Sequence, residues 1–216
     1  MKILITGASG GIGKSIYKEL SNSQFTLIAP SSKDLDLSQT QKIAGFMQSE
    51  YFDGIIHAAG INEITNFSDL SEKIILEHFN INALSLYSIC KNLKKKNKII
   101  NVVAISSLYG ITARGMRLPY TTSKHALEGL VKSLAIDLAP NILINSIRPG
   151  FVDTPMTRKN NSELKINQIV DKIPCGKLVD SRQIALFTKF LIESNKSMTG
   201  QSLTIDGGYS IGGYER

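Results

Sequence analysis

Cysteine is scarce in this chain: Cys90 and Cys175 are the only two among 216 residues. Two thiols make no disulfide framework, and no Cys/His cluster has the spacing of a zinc site. A reducing, cytoplasmic setting is the expectation. Long apolar runs are missing as well. None approaches the roughly 20 residues of a membrane-spanning helix, so no membrane partner is expected. The opening MKILITGASG has neither the apolar length nor the cleavage site of a secretory signal; its apolar stretch stops at Thr6-Gly7 and reads as a first strand. There is no internal repeat and no low-complexity segment. The net charge is +7, yet no aromatic residues interleave with the densest basic run, Lys94-Lys95-Lys96 with Lys98. That run reads as a solvated helix end, where cations suit the dipole, and nucleic-acid binding is not expected.

What is present fits one domain over residues 1–216, with 42% apolar residues to fill its core and 20% charged residues to solvate it. Short apolar runs alternate with longer helical patterns. Strands are expected at Ile3–Thr6, Phe25–Ala29, Ile55–His57, Ile99–Ile105, Ile142–Ile147 and Ser202–Ile205. Helices are expected from about Gly11 to Leu20, Leu70 to Lys91, Leu118 to Leu138 and Ser181 to Glu193. Regular alternation argues for a doubly wound parallel sheet with helices on both faces, a Rossmann-like three-layer α/β/α architecture. One long stretch, about Asp153–Val179, lacks clear periodicity and carries Pro155, Pro174 and Gly176. Such a stretch in a compact domain is a functional lid or a disordered loop.

Thr6-Gly7-Ala8-Ser9-Gly10-Gly11-Ile12-Gly13 follows the first strand and opens a helix. A glycine cluster alone can be a simple strand–helix turn. In the first βα turn it is a dinucleotide site: glycines let the backbone approach a pyrophosphate, and the helix N-terminus favours the anion. Further along, Tyr120 and Lys124 lie four apart at the start of a helix and so face the same side. A nearby ammonium favours the phenolate of a tyrosine, which is the tuning a general acid/base needs. Taken alone the pair is commonplace and mostly structural. Ser107 stands thirteen residues before Tyr120, just past a strand end where ligands sit in such sheets; its neighbour Ser106 reads as a turn serine.

With Gly7, Gly11 and Gly13 in a Gly-x-x-x-Gly-x-Gly arrangement, a Ser-x-x-Gly turn at Ser107–Gly110 and the Tyr120/Lys124 pair, the chain resembles the short-chain dehydrogenase/reductase family over nearly its whole length. Its later segments resemble the single-domain branch, that of the 3-oxoacyl-carrier-protein reductases. The resemblance implies an NAD(P)-dependent oxidoreductase that moves a hydride between nicotinamide and a carbonyl or alcohol carbon. It implies Ser107, Tyr120, Lys124 and Asn82 as the catalytic set. Asn82 matches the asparagine that supports a proton-relay water, with Asn80 as its rival if the register slips. Cofactor contacts are implied at Gly7, Ser9, Gly11, Ile12, Gly13, Ser31, Ser32, Asp36, Leu37, Ala59, Gly60, Tyr120, Lys124, Pro149, Gly150, Val152 and Thr154. Asp206-Gly207-Gly208 matches a C-terminal signature and reads as a strand-ending turn. No metal is implied.

The chain departs from the family in two places. His57-Ala58-Ala59-Gly60 replaces the usual Asn-Asn-Ala-Gly, and a catalytic role for His57 is not expected at a strand end. The stretch between the second strand and Asp36-Leu37 is short, as in the sugar-nucleotide branch of the superfamily, which leaves the order of the sheet at that edge open. At the end of the second strand Pro30-Ser31-Ser32-Lys33 offers no acid before Asp34. NADP is favoured there over NAD, because hydroxyls and a lysine can donate to a 2′-phosphate, while Asp34 is the argument for NAD.

The resemblance implies a small-molecule or carrier-linked carbonyl substrate, with a 3-oxoacyl thioester as the commonest family default and a sugar or nucleotide-sugar ketone equally compatible. Met156, Leu164, Ile166, Ile169 and Val170 would give the lid an apolar inner face. Arg114, Arg117, Arg158, Lys159 and Lys165 would attract an anionic substrate. A non-catalytic dinucleotide sensor is the alternative function. A homodimer or homotetramer is implied, with Ala126, Leu130, Leu134 and Ala135 suited either to its interface or to the chain's own sheet.

Overall fold

The computed structural model describes residues 1–94 and 98–212. Lys95 and Lys96 of the basic run lie outside the described residues. Of the rest of that run, Lys94 sits 4.4 Å from the centroid of the Tyr51 ring and Lys98 pairs with Asp53 at 2.8 Å.

Six parallel strands form one sheet: β1 (Lys2–Thr6), β2 (Thr26–Ile28), β3 (Gly54–His57), β4 (Ile100–Ile105), β5 (Ile142–Pro149) and β6 (Ser202–Ile205). Their order is β2-β1-β3-β4-β5-β6. This settles the edge that the sequence left open. No strand lies outside β2 among the described residues, because the short stretch after β2 turns at once toward Asp36 and into a helix. Register runs Thr6↔His57 between β1 and β3 and His57↔Ala104 between β3 and β4, so these strand ends form one rim.

Helices cover both faces, and strand alternation decides which residues meet which layer. Leu4, Ile55, Val102, Ala104 and Ile144 point to one side. There they pack with Ile43 and Met47 of α2 (Thr40–Ser49), Leu86 and Ile89 of α4 (Ser85–Lys91), and Leu127 and Val131 of α5 (Leu118–Leu138). Ile3, Ile5, Ile56, Val103, Ile105 and Ile147 point to the other side. They meet Ile16 and Leu20 of α1 (Gly11–Ser21) and Ile184, Leu191 and Ile192 of α8 (Ser181–Ser194). The three-layer architecture is thus written in adjacent residues of opposite facing.

The structure differs from the sequence expectation at three points. α2 went unread, although Ile43 and Met47 stand four apart and are fully buried. The helix expected over Leu70–Lys91 is divided: α3 (Glu72–Phe79) runs into a π-helical turn at Asn80–Leu84 before α4. The stretch 153–179 holds α6 (Pro155–Lys159) and α7 (Glu163–Val170), each too short for periodicity to register. Its two ends are tied, with Val179 N–H donating to Phe151 O at 2.8 Å and Asp153 N–H donating to Val179 O at 3.1 Å.

Candidate active site

The C-terminal rim of the sheet opens into two adjoining cavities. One, of about 370 Å³, runs from the glycine turn past β2 to Lys124. The other, of about 650 Å³, lies between Ser107, Tyr120 and the α6–α7 segment. Ile12, Ser106, Tyr120, Thr154 and Met156 line both and form their common wall.

The glycine turn is built for close approach. Gly7 has φ +71°, and a Cβ there would stand 2.5 Å from the Ala59 amide nitrogen. A Cβ on Gly13 would stand 2.1 Å from Gly7 O. Gly10 precedes α1 with no side-chain cap, so the amides of the first turn are left for a ligand to satisfy. These features fit the pyrophosphate of a dinucleotide. Ser31, Ser32, Asp36, Leu37, Ala59 and Gly60 line the same cavity, while Lys33 and Asp34 do not. Asp34 is turned inward on its own loop: its Oδ2 accepts from Ser31 N–H at 3.0 Å and Ser31 Oγ at 2.7 Å, which holds its carboxyl below the ordinary range. Asp36 accepts in the same way from Ser38.

Beyond Tyr120, Pro149, Gly150 and Val152 at the end of β5 line the larger cavity, and Thr154 lies on the common wall. Asp206 closes the turn after β6, its Oδ1 accepting from Gly208 N–H at 2.9 Å and its Oδ2 from Ser210 N–H at 2.7 Å.

The first turns of α5 carry Tyr120 and Lys124 to the junction of the cavities. Lys124 Nζ donates to Ile105 O at 2.9 Å and lies 5.7 Å from the centroid of the Tyr120 ring. Burial lowers the lysine to about 8, with the buried Glu128 carboxylate pulling the other way. The sequence expectation was that this ammonium would lower the Tyr120 phenol. The phenol instead moves up, because burial outweighs its hydrogen bond to Ser107. A phenol held protonated at neutral pH is a proton donor. Ser107 caps the 3₁₀ turn Leu108–Gly110, its Oγ accepting from Tyr109 N–H at 3.2 Å. Tyr109 meets the Tyr120 ring edge-on at 5.8 Å between centroids.

Asn82 sits in the π-helical turn and is fully buried, whereas Asn80 is half-buried. Its Oδ1 accepts from Ile61 N–H at 2.8 Å, and its Nδ2 donates to Ile61 O at 3.0 Å and Ser123 Oγ at 2.9 Å. A Cβ on Gly60 would stand 3.2 Å from Asn82 Oδ1 and 3.6 Å from Lys124 Nζ, so that glycine holds open the gap between them. His57 lies below this level and lines neither cavity. Its Nδ1 bonds Thr6 Oγ1 at 2.9 Å and its Nε2 bonds Ser85 Oγ at 3.2 Å. Ser85 already donates to Ile81 O, so the ring is a neutral Nε2–H imidazole. Burial drives its pKa down to about 3.

Of the basic residues expected near substrate, Arg114, Arg117 and Lys165 line the larger cavity. Arg158 is engaged by both oxygens of Asp153, at 2.8 and 2.9 Å, and lies with Ile166 and Val170 on another face; Lys159 lines neither cavity. Of the apolar set, Met156 and Ile169 line the cavity, while Leu164 is 71% exposed. Sequence reading missed Asn62, Tyr109, Lys172 and Tyr209 on the cavity wall, for which no motif signal exists. It also missed Ser106, a buried hydroxyl on the common wall with no partner among the described residues.

Residues 34–210 match the family model described as enoyl-(acyl carrier protein) reductase. The chain is 32% identical to the uncharacterized oxidoreductase YmfI of Bacillus subtilis, covering 95% of this chain and 97% of that protein. It is 30% identical to the 3-oxoacyl-(acyl-carrier-protein) reductase FabG of Chlamydia muridarum, covering 95% and 86%. Among solved structures, 4-hydroxyisoleucine dehydrogenase complexed with NADH superposes with a TM-score of 0.87 at 27% identity, covering 98% of this chain and 99% of that one.

Proposed function

We propose a specific chemistry for this chain, which belongs to the short-chain dehydrogenase/reductase family: reduction of a ketone to a secondary alcohol with NADPH, at the junction of its two cavities. It is an NAD(P)-dependent oxidoreductase. The observation that carries the site assignment is the meeting of the two cavities at Tyr120, which lines both, with Ser107 on the larger side of it and Lys124 on the smaller. Bound nicotinamide supplies the hydride, and the protein's part is orientation and proton supply. Ser107 Oγ and Tyr120 Oη hold the carbonyl oxygen, and Tyr120 gives it a proton. Lys124, fixed on Ile105 O, would hold the ribose and return a proton to Tyr120, its own proton being replaced through the gap beside Gly60 and Asn82. The sensor alternative has no need of this constellation.

The preference for NADP is supported by the tip of β2. Ser31 and Ser32 face the cavity there, and Asp34 is turned away on Ser31. Residues 153–179 are proposed as the substrate lid of a single domain, tied at both ends and lining one wall of the larger cavity. A homodimer or homotetramer is proposed from apolar side chains left outward on α3, α4 and α5, namely Leu76, Phe79, Tyr87 and Ile136. Ala126, Leu130, Leu134 and Ala135 pack on the chain's own sheet instead. A reducing, cytoplasmic setting accords with two free thiols, one of them buried.

The test is Tyr120→Phe. Turnover of ketones with NADPH should fall by at least the ~10²–10⁴-fold typical of an acid/base group. NADPH should still raise the unfolding midpoint, since ligand at about 100 times its Kd adds about 2.7 kcal/mol. Unchanged turnover would remove Tyr120 from the chemistry. A midpoint raised by NADH alone would overturn the choice of NADP.

A further inference from the structure

Arg117 is the least explained charge in the molecule. It is 5% exposed, and it lines the larger cavity. Its guanidinium hydrogen-bonds a neutral partner, Nη1 donating to Asn62 Oδ1. No carboxylate lies within ion-pair distance of it among the described residues. A buried cation without an anion carries a desolvation cost, which the neighbouring Tyr109 and Tyr120 offset only in part. Two further features deepen the deficit. Arg117 occupies the N-cap of the 21-residue α5, the end of a helix that disfavours cations and favours anions. Arg114 faces the same cavity and repels it.

The wall as a whole repeats the imbalance. Arg114, Arg117, Lys165 and Lys172 line the cavity, against Asp171 as the one acid there among the described residues. A guanidinium presents a planar fork of donors that matches a carboxylate in two-point contact. With one edge held by Asn62, the rest of the fork is free to take such a group. Position fixes the distance from the chemistry. Arg117 at the N-cap of α5 and Tyr120 in its first turn line the same cavity and act on one another electrostatically, so an anion on Arg117 would lie near the phenol. That is too close for a phosphate at the far end of a carrier arm, and it suits an acid group a few bonds from the reacting carbon.

We infer that the substrate is an oxo acid, whose free carboxylate is held by Arg117, with Asn62 setting the guanidinium, while its ketone faces Ser107 and Tyr120. This rests on the ketone-reductase reading and narrows it. An acyl thioester, which carries no charge near its ketone, is the class it displaces.

The experiment compares three forms of one acyl chain with NADPH: 3-oxohexanoate, its methyl ester and its N-acetylcysteamine thioester. The expected result is kcat/KM for the free acid at least 10-fold above both neutral forms, with that ratio falling to about 1 in Arg117→Gln. Arg117→Lys should restore part of the ratio, which a merely structural role would not do. A second measurement does not depend on turnover: calorimetric binding of hexanoate and of hexanamide to the NADPH complex. Hexanoate should bind the native protein at least 10-fold more tightly than the amide, and equally weakly in Arg117→Gln. Equal binding of the two to the native protein, or a thioester turned over faster than the acid, would overturn the oxo-acid assignment and leave the reductase intact. Acid-selective binding without turnover of any form would overturn the reductase reading and leave Arg117 as an acid site.

Discussion

Two buried bases, His57 and Lys124, make the sheet's C-terminal rim sensitive to pH in the same direction. Each has a folded pKa below its ordinary value, about 3 against 6.5 for His57 and about 8 against 10.5 for Lys124. Between each pair of values the unfolded chain holds a proton that the folded chain lacks, so stability rises with pH across each window. For His57 this means stability lost as pH falls from about 6.5 toward 3, by up to about 1.4 kcal/mol per pH unit. His57→Asn should remove that component, read as a shallower decline in urea midpoint between pH 7 and pH 4. In its proposed role Lys124 sets catalysis against stability. Its charge thins above pH 8, so reduction should decline there while the fold gains, and rate and unfolding midpoint measured from pH 7 to pH 9.5 should diverge.

At the scale of elements, the turn between β1 and α1 is the least forgiving part. A methyl group on Gly13 would meet Gly7 O at 2.1 Å, a backbone atom with no rotamer to move. Gly13→Ala should therefore cost about 1–3 kcal/mol, the range of overpacked sites, and abolish the rise in midpoint that NADPH gives the native protein. The turn was legible because its glycines are dictated by backbone sterics. The Tyr120/Lys124 pair was legible because helical spacing places both on one face. α2 was overlooked because it has only Ile43 and Met47 to bury, and α6 and α7 because neither completes enough turns to show a period. The direction of the Tyr120 shift escaped sequence reasoning for a different cause. Charge spacing can be read from a string of residues, but burial is a property of the packed rim. The same holds for Arg117: its sign was legible, and the absence of a counter-ion among the described residues was not.

For the whole molecule, the sheet is closed on both faces by its own helices, yet α5 keeps Ile136 at 81% exposure on its outer side. A lone outward isoleucine is ordinary, but Leu76, Phe79 and Tyr87 on α3 and α4 leave the adjoining helices apolar too. Sedimentation at micromolar concentration should show a dimer or tetramer, and Ile136→Glu should shift it toward smaller species with little loss of monomer stability.

That β2 ends the sheet has a consequence in time as well as in space. The adenine end of the smaller cavity is bounded by the loop from Pro30 to Leu37, with no strand beyond it among the described residues. A dinucleotide in the proposed site would be bounded on that side by this loop, and departure of spent cofactor paces turnover in many well-evolved enzymes. On the proposed reading, it is this loop, rather than a strand, that would yield each time oxidised cofactor leaves and reduced cofactor enters.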